Sequence, residues 1–235
     1  MARRIAIIPA RGGSKRIPHK NIIDFFGQPM ISKTIQAAKE SGCFDRVLVS
    51  TDDPAIAEVS RSHGAEVPFL RLDKADDFSP VSEATLSALD QAEAHWCESY
   101  ETVVQLMANC PLREAEDILK AVSAFNGRSA RFQISSFKFG WMNPWWSVKL
   151  NDDGIPERLF PDALSRRSQD LETLYCPTGA IWIADSVALK REGTFYGKGH
   201  VFENMPWTSA LDIDDYQDLE MAKAVYSVRR ESGAG

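Results

Sequence analysis

From Arg4 to Ala10 the chain is almost continuously apolar and then breaks into a loop rich in glycine and basic residues. Such a run lacks the alternation of a half-exposed strand and suits a parallel strand covered on both faces. The theme repeats downstream. Ile31, Ile35 and Ala38 recur at helical spacing, Arg46 to Ser50 is a second apolar strand, and Asp53-Pro54 opens a helix through Ile56 and Val59. Ala65 to Phe69 predicts a third strand. Ser79-Pro80 with Glu83 supplies a cap, a first-turn proline and an early acid for a helix with Val81, Thr85, Ala88, Ala92 and Trp96 on one face, and Thr102 to Met107 predicts the next strand. This alternation predicts an α/β fold with a doubly wound, mostly parallel sheet and ligands at the carboxyl ends of its strands.

After about Arg128 the rhythm changes to aromatic-rich segments with several prolines. Phe132 to Phe139, Trp145 to Leu150 and Gly179 to Ala184 predict mixed strands and an excursion from the main sheet, and Asp215 to Arg229 predicts a last helix with Tyr216, Leu219, Ala222 and Tyr226 on one face. A chain of 235 residues, 44% of them hydrophobic, can bury one contiguous core, so a single domain over residues 1–230 is expected, with 231–235 as a frayed tail.

The formal net charge of −6 argues against nonspecific nucleic-acid binding, which needs many basic groups to neutralise phosphates. The distribution is more informative than the total. Arg3, Arg4, Arg11, Lys15, Arg16 and Lys20 all precede the first acid, Asp24, so the amino end is locally positive and suits a small anionic ligand. No apolar run reaches membrane length and the opening does not read as a leader, so no membrane association and a cytoplasmic location are expected. Cys43, Cys97, Cys110 and Cys176 are scattered without a Cys-x-x-Cys pair, which points to reduced, structural thiols.

Three segments carry chemistry. The loop after the first strand, Pro9-Ala10-Arg11-Gly12-Gly13-Ser14-Lys15-Arg16, can cradle phosphates with backbone amides and cations, against the bland reading of a solvated basic turn. It matches neither the Gly-x-x-x-x-Gly-Lys-Ser/Thr loop of ATPases nor the Gly-x-Gly-x-x-Gly fingerprint of dinucleotide sites. In Asp212-Ile213-Asp214 an extended backbone puts both carboxylates on one side and Ile213 into the core; that arrangement suits magnesium, with helix capping as the alternative. The pairs Asp52-Asp53, Asp76-Asp77 and Asp152-Asp153 read instead as turn or cap residues. Phe137, Phe139, Trp141, Trp145 and Trp146 form an aromatic cluster better suited to a core or subunit interface than to direct ligand contact. The four histidines show no ligand spacing, and no serine has a hydrolase-like histidine partner.

The stretch Ile7 to Pro18, followed by Lys20-Asn21, resembles the signature of the acylneuraminate cytidylyltransferases. The likeness extends through Ser50-Thr51-Asp52, Gly64 to Arg71, Gln105 with Pro111-Leu112-Arg113, Gly179-Ala180-Ile181, and Asp212-Ile213-Asp214 with Asp218-Leu219-Glu220. Gln105 to Arg113 replaces the usual Gln-Pro-Thr-Ser-Pro-Leu-Arg of the sialic acid enzymes; with Phe139 to Trp146 and Tyr175 to Gly179, it resembles members that act on pseudaminic acid.

The resemblance implies a sheet of the nucleotide-diphospho-sugar transferase type and transfer of CMP from CTP to a nine-carbon acidic sugar. It implies magnesium, with manganese as a possible substitute, and a homodimer in which the excursion of about 137–159 reaches the neighbouring subunit. It places Arg11 and Lys15 on the triphosphate as catalytic residues, with Gly12, Gly13, Ser14, Lys20, Asn21, Arg71 and Ser82 on the nucleotide. Gln105, Arg167, Trp182, Phe195 and Tyr196 fall on the sugar, and Asp212 and Asp214 on the metal. Thr178 stands where the sialic acid enzymes carry Asn, and the sugar-carboxylate arginine falls within Arg166-Arg167-Ser168-Gln169. Other acceptors that the resemblance allows are N-acetylneuraminate and legionaminate. A binding protein without turnover is a further reading, which the retention of Arg11, Lys15, Asp212 and Asp214 opposes.

Overall fold

A computed structural model describes residues 3–71 and 81–231. The Ser79-Pro80 cap, the Asp76-Asp77 pair and residues 232–235 lie outside the described residues. Eight strands are described: β1 (Arg4–Pro9), β2 (Arg46–Ser50), β3 (Thr102–Gln105), β4 (Phe132–Lys138), β5 (Val148–Leu150), β6 (Pro156–Arg158), β7 (Tyr175–Asp185) and β8 (Val201–Asn204). The α-helices are α1 (Met30–Glu40), α2 (Pro54–Ser62), α3 (Val81–Trp96), α4 (Ala115–Asn126), α5 (Ser186–Glu192), α6 (Trp207–Ala210) and α7 (Tyr216–Glu231).

Six strands form the main sheet in the order β2-β1-β3-β7-β4-β8. All pairings are parallel except those of β7, which runs antiparallel to both β3 and β4. The sheet is therefore mostly parallel with one reversed strand. Apolar residues on successive positions of β1 serve opposite faces, as its run of hydrophobics requires. Ala6 and Ile8 join the core under α1, α2 and α4, while Ile5 and Ile7 join the core under α3 and α5.

Ala65 to Phe69 is not a strand. It lies beside β2 through a single parallel bridge, with Glu66 donating to Val47 O and accepting from Val49 N. Pro68 has no N–H to continue a ladder, and the Arg61 guanidinium takes up Val67 O instead. Trp145 to Leu150 is likewise not one strand. A 3₁₀ turn over Pro144–Trp146 precedes the short β5, which pairs only with β6. Phe137 belongs to β4 and packs on the main core, so the excursion leaves the sheet after Lys138 and returns at Tyr175.

A third, smaller core matters most for the site. Ile17 from the loop after β1, Leu112 from the loop after β3 and Ile213 from the segment before α7 pack with Leu219 and Ala222 of α7. Burying a side chain of this size contributes about 1.5–3 kcal/mol, so these apolar contacts hold three otherwise separate loops at the carboxyl edge of the sheet.

Candidate active site

The basic loop and the acidic segment meet where Ile17 and Ile213 share that core. Lys20, in a short 3₁₀ turn (Lys20–Ile22), donates from Nζ to Asp214 Oδ1 at 2.9 Å and to Ile213 O at 2.8 Å. Arg16 pairs with the other oxygen, Asp214 Oδ2, at 2.8 Å. Asp218 accepts from the backbone amides of Asp214 and Asp215, capping α7, while Asp215 accepts from Gln217 N and Asp218 N. Capping therefore falls to Asp215 and Asp218, and neither the Asp212 nor the Asp214 carboxylate is used for it.

The two carboxylates differ electrically. Crowding by protein and the negative charge of Asp214 push the Asp212 carboxyl above its ordinary range, although its side chain opens to solvent. Burial also pushes Asp214 upward, but hydrogen bonds and charges from Lys20 and Arg16 outweigh it, so Asp214 is held below its ordinary range. Cys110, fully buried between the same loops, is pushed up to about 12 by burial, with Arg113, Asp212, Lys20 and Asp214 all acting on it. It remains a thiol.

The basic loop is braced rather than open along its whole length. Gly12 N donates to Asp52 Oδ1 at 3.0 Å, and a Cβ on Gly12 would lie 2.6 Å from Asp53 Oδ2. Asp53 is the N-cap of α2, accepting from Ala55 N and Ile56 N. Gly12 is thus required for close approach to the α2 terminus, and only Gly13 faces open space. Asn21 is buried and donates from Nδ2 to Arg11 O at 2.9 Å, fixing the loop's entry, while Ser14 N donates to Gly12 O at 2.9 Å. Lys15 stands exposed at the loop's tip.

Arg71 lies buried at the carboxyl end of β2, its N–H donating to Thr51 O and its Nη1 to Ser50 Oγ. Ser82 is buried in the first turn of α3; one turn on, Thr85 Oγ1 donates to Gln105 Oε1 at 2.6 Å. Gln105 is fully buried at the end of β3 and in register with Trp182 of β7. Trp182 Nε1 donates to Thr178 O, and its ring contacts Phe195 and Tyr196, each with centroids 5.5 Å away. Tyr196 is half exposed and continues edge-on to His200 and Phe202. Phe195 is fully buried, so it backs this aromatic wall from the core. Arg167 lies on the excursion, exposed and paired with Asp170 at 2.9 Å.

Sequence reasoning gave no role to Arg16, Thr85, Asn109 or Arg113. Arg16 was visible within the basic loop. Arg113 is 2% exposed and donates to Met107 O, Ala180 O and Thr34 Oγ1, with no carboxylate partner among the described residues, so burial lowers its pKa. It ties the loop after β3 to β7 and α1.

The cytidylyltransferase family profile matches residues 5–140. The chain is also 36% identical over 233 residues to a pseudaminic acid cytidylyltransferase of Campylobacter jejuni, covering 98% of this chain and 99% of that one. The chain belongs to the cytidylyltransferase family. This cytidylyltransferase is 32% identical to an N-acylneuraminate cytidylyltransferase of Streptococcus agalactiae over 92% of its own length and 51% of the relative's. Its fold matches the structure of CMP:2-keto-3-deoxy-manno-octonic acid synthetase complexed with CTP, with a TM-score of 0.70, 15% identity, and coverage of 97% of this chain and 100% of that one. As a nucleotidyltransferase, it carries its basic loop, acidic segment and aromatic wall at the carboxyl edge where the parallel sheet places ligands.

Proposed function

We propose that this cytidylyltransferase transfers CMP from CTP to the anomeric hydroxyl of a nine-carbon acidic sugar, pseudaminic acid, and releases pyrophosphate. The observation that carries this reading is the meeting of Arg16 and Lys20 with Asp214, beside Asp212, on loops locked by one apolar core. The choice of acceptor is supported by the full-length likeness to the Campylobacter enzyme, at 36% identity against 32% for the sialic acid relative.

The acidic pair fits a divalent cation. Burial and then the charge of Asp214 raise the Asp212 carboxyl, a cation beside the pair would offset that charge, and hard carboxylate oxygens suit magnesium, with manganese a workable substitute. Among the described residues, no group of three His, Cys, Asp or Glu side chains could hold a metal. Asp212 and Asp214 would hold the ion, with substrate phosphate oxygens and water supplying its other ligands, as magnesium favours. Bound there, the ion would spread phosphate charge.

The chain's own groups do the rest. Arg11 and Lys15 hold the triphosphate and stabilise charge developing at the α-phosphate, and Arg16 joins them. Gly13 and Ser14 let the phosphates approach the loop, while Gly12 and Asn21 keep its shape. Lys20 holds Asp214 in place. Arg71 and Ser82 face the cytidine. Gln105, oriented by Thr85, and the wall of Trp182 and Tyr196 orient the sugar for in-line attack, with Phe195 behind. No covalent intermediate is required. The excursion, carrying Arg167, pairs two copies into a homodimer. A CTP-dependent reaction and four free cysteines suit the cytoplasm.

Pyrophosphate release from CTP and magnesium is measured with pseudaminic acid, with N-acetylneuraminate and without sugar. Release with pseudaminic acid alone is expected. Release with N-acetylneuraminate alone would keep the chemistry and replace the acceptor, and silence with both would leave a binding protein.

A further inference from the structure

We propose that Asn109 is a positioning residue for the acidic pair, holding Ile213 at both of its backbone polar groups while its own side-chain carbonyl receives a water of the bound cation. The inference rests on the metal reading of Asp212 and Asp214.

Asn109 lies in the loop after β3 and is only 5% exposed. Its backbone oxygen accepts from Ile213 N at 2.9 Å, and its Nδ2 donates to Ile213 O at 3.0 Å. One residue thus grips both the N–H and the C=O of Ile213, 104 positions away in sequence. Lys20 Nζ reaches the same carbonyl at 2.8 Å and continues to Asp214 Oδ1 at 2.9 Å. Asp212 and Asp214 flank Ile213 directly, so the spacing of the two carboxylates depends on the backbone of a residue pinned by Asn109, by Lys20 and by its own buried side chain.

The second observation is chemical. Asn109 Oδ1 is buried and has no hydrogen-bond partner among the described residues. Buried acceptors in folded proteins are nearly always satisfied, and a water or ion is one of the donors or charges that account for an exception. Water coordinated to a cation between Asp212 and Asp214 is such a donor, because coordination makes its hydrogens strongly donating. An amide is the side chain that meets both demands. A carboxylate would lose the donor to Ile213 O and place a third negative charge beside the acidic pair.

The test uses Mn2+ alone as the probe, titrated by electron paramagnetic resonance against the wild type, Asn109→Ala, Asn109→Ser and Asp212→Asn, well below each melting temperature. Steady-state kinetics and thermal melts accompany it. Outer-shell partners of metal ligands are worth about 10–100-fold in affinity, so Asn109→Ala is expected to weaken Mn2+ by about that factor. It should also lower kcat and leave the KM for CTP near that of the wild type. Asn109→Ser, which loses less volume, should shift in the same direction and serves if the alanine variant does not fold. Wild-type Mn2+ affinity and kcat in both variants, with only the melting temperature lowered and Asp212→Asn still weakening the metal, would overturn the role of Asn109 alone. Unchanged Mn2+ binding in Asp212→Asn would overturn the metal reading and this inference with it.

Discussion

Asp212 and Asp214 are separated by one residue and carry opposite electrostatic burdens, which makes them distinguishable by experiment. Asp212 holds its proton more tightly in the folded chain than in the unfolded one, because of crowding and the charge of Asp214. Its ionisation therefore opposes folding at neutral pH, and the penalty disappears as pH falls through its raised pKa. Asp214, although burial alone would raise it, is depressed by Lys20 and Arg16, so it contributes stability above its ordinary value of 3.8 and loses it as pH falls through the depressed value. Asp212→Asn should accordingly lose turnover while melting at or above the wild-type temperature at neutral pH. Asp214→Asn should lose turnover and melt lower, the deficit vanishing in acid. Melts of the three proteins from neutral pH down into the carboxylate range check both signs. Lys15, exposed at the tip of its loop, invites a different split. Lys15→Ala should raise the barrier on the order of 3 kcal/mol, as loss of a charge-stabilising donor does, and lower turnover far more than stability. A variant turning over within a few-fold of wild type would remove Lys15 from the mechanism. At this scale the sequence announced charges but not their partners. Arg16 was legible as one more basic residue, whereas its pairing with Asp214 depends on a contact nearly 200 positions long, which no local pattern encodes.

Among elements, apolar runs with clear ends were the most legible. β2 was anticipated at its full span, and the start of β1 and the opening of α2 at Asp53-Pro54 were likewise legible, because burial on both faces and a proline after a capping acid leave strong local signals. The direction of β7 was not legible. Hydrophobic pattern specifies which faces are buried, and a reversed central strand buries the same faces as a parallel one. α4 went unnoticed although Ile118, Ala121, Val122 and Phe125 mark it at helical spacing. β8, at the sheet edge and only partly buried, is too short to show a period. How loops become a site is also decided at this scale, in the small core of Ile17, Leu112, Ile213, Leu219 and Ala222. Ile213→Ala should destabilise the fold by about 2–5 kcal/mol through lost burial and the cavity left behind. Because the same side chain sets the acidic segment, turnover should fall even where the variant is fully folded. Chemical denaturation and assays at low temperature separate the two effects. Equal kcat for the folded variant and the wild type would mean that Asn109 and Lys20 hold the segment without help from the core.

The excursion governs the molecule as a whole. β5 and β6 pair only with each other, all their residues are exposed, and Trp141, Leu150 and Ile155 are 84%, 66% and 61% exposed. An isolated two-stranded hairpin is marginally stable in water, and exposed apolar side chains of this size mark a candidate interaction surface. Arg167, the expected partner of the sugar carboxylate, lies on the same excursion, between β6 and β7, rather than on the loops that carry Lys15 and Asp214. A homodimer that carries Arg167 into its neighbour's site reconciles these facts, and it can be tested without a further structure. Lys15→Ala and Arg167→Ala are each expected to be nearly inactive alone. Mixed after dissociation and reassociation, half of the dimers should be heterodimers. In each of these one site combines Lys15 from one subunit with Arg167 from the other, giving about a quarter of wild-type activity. If Arg167 serves its own subunit, every site in the mixture lacks one of the two residues and activity stays at the level of the separate variants. Sedimentation of a Trp141→Ser, Leu150→Ser, Ile155→Ser variant supplies the second arm. It should shift toward monomer and lose turnover together with dimerisation, because on this arrangement only the dimer would bring Arg167 to the sugar it is expected to hold.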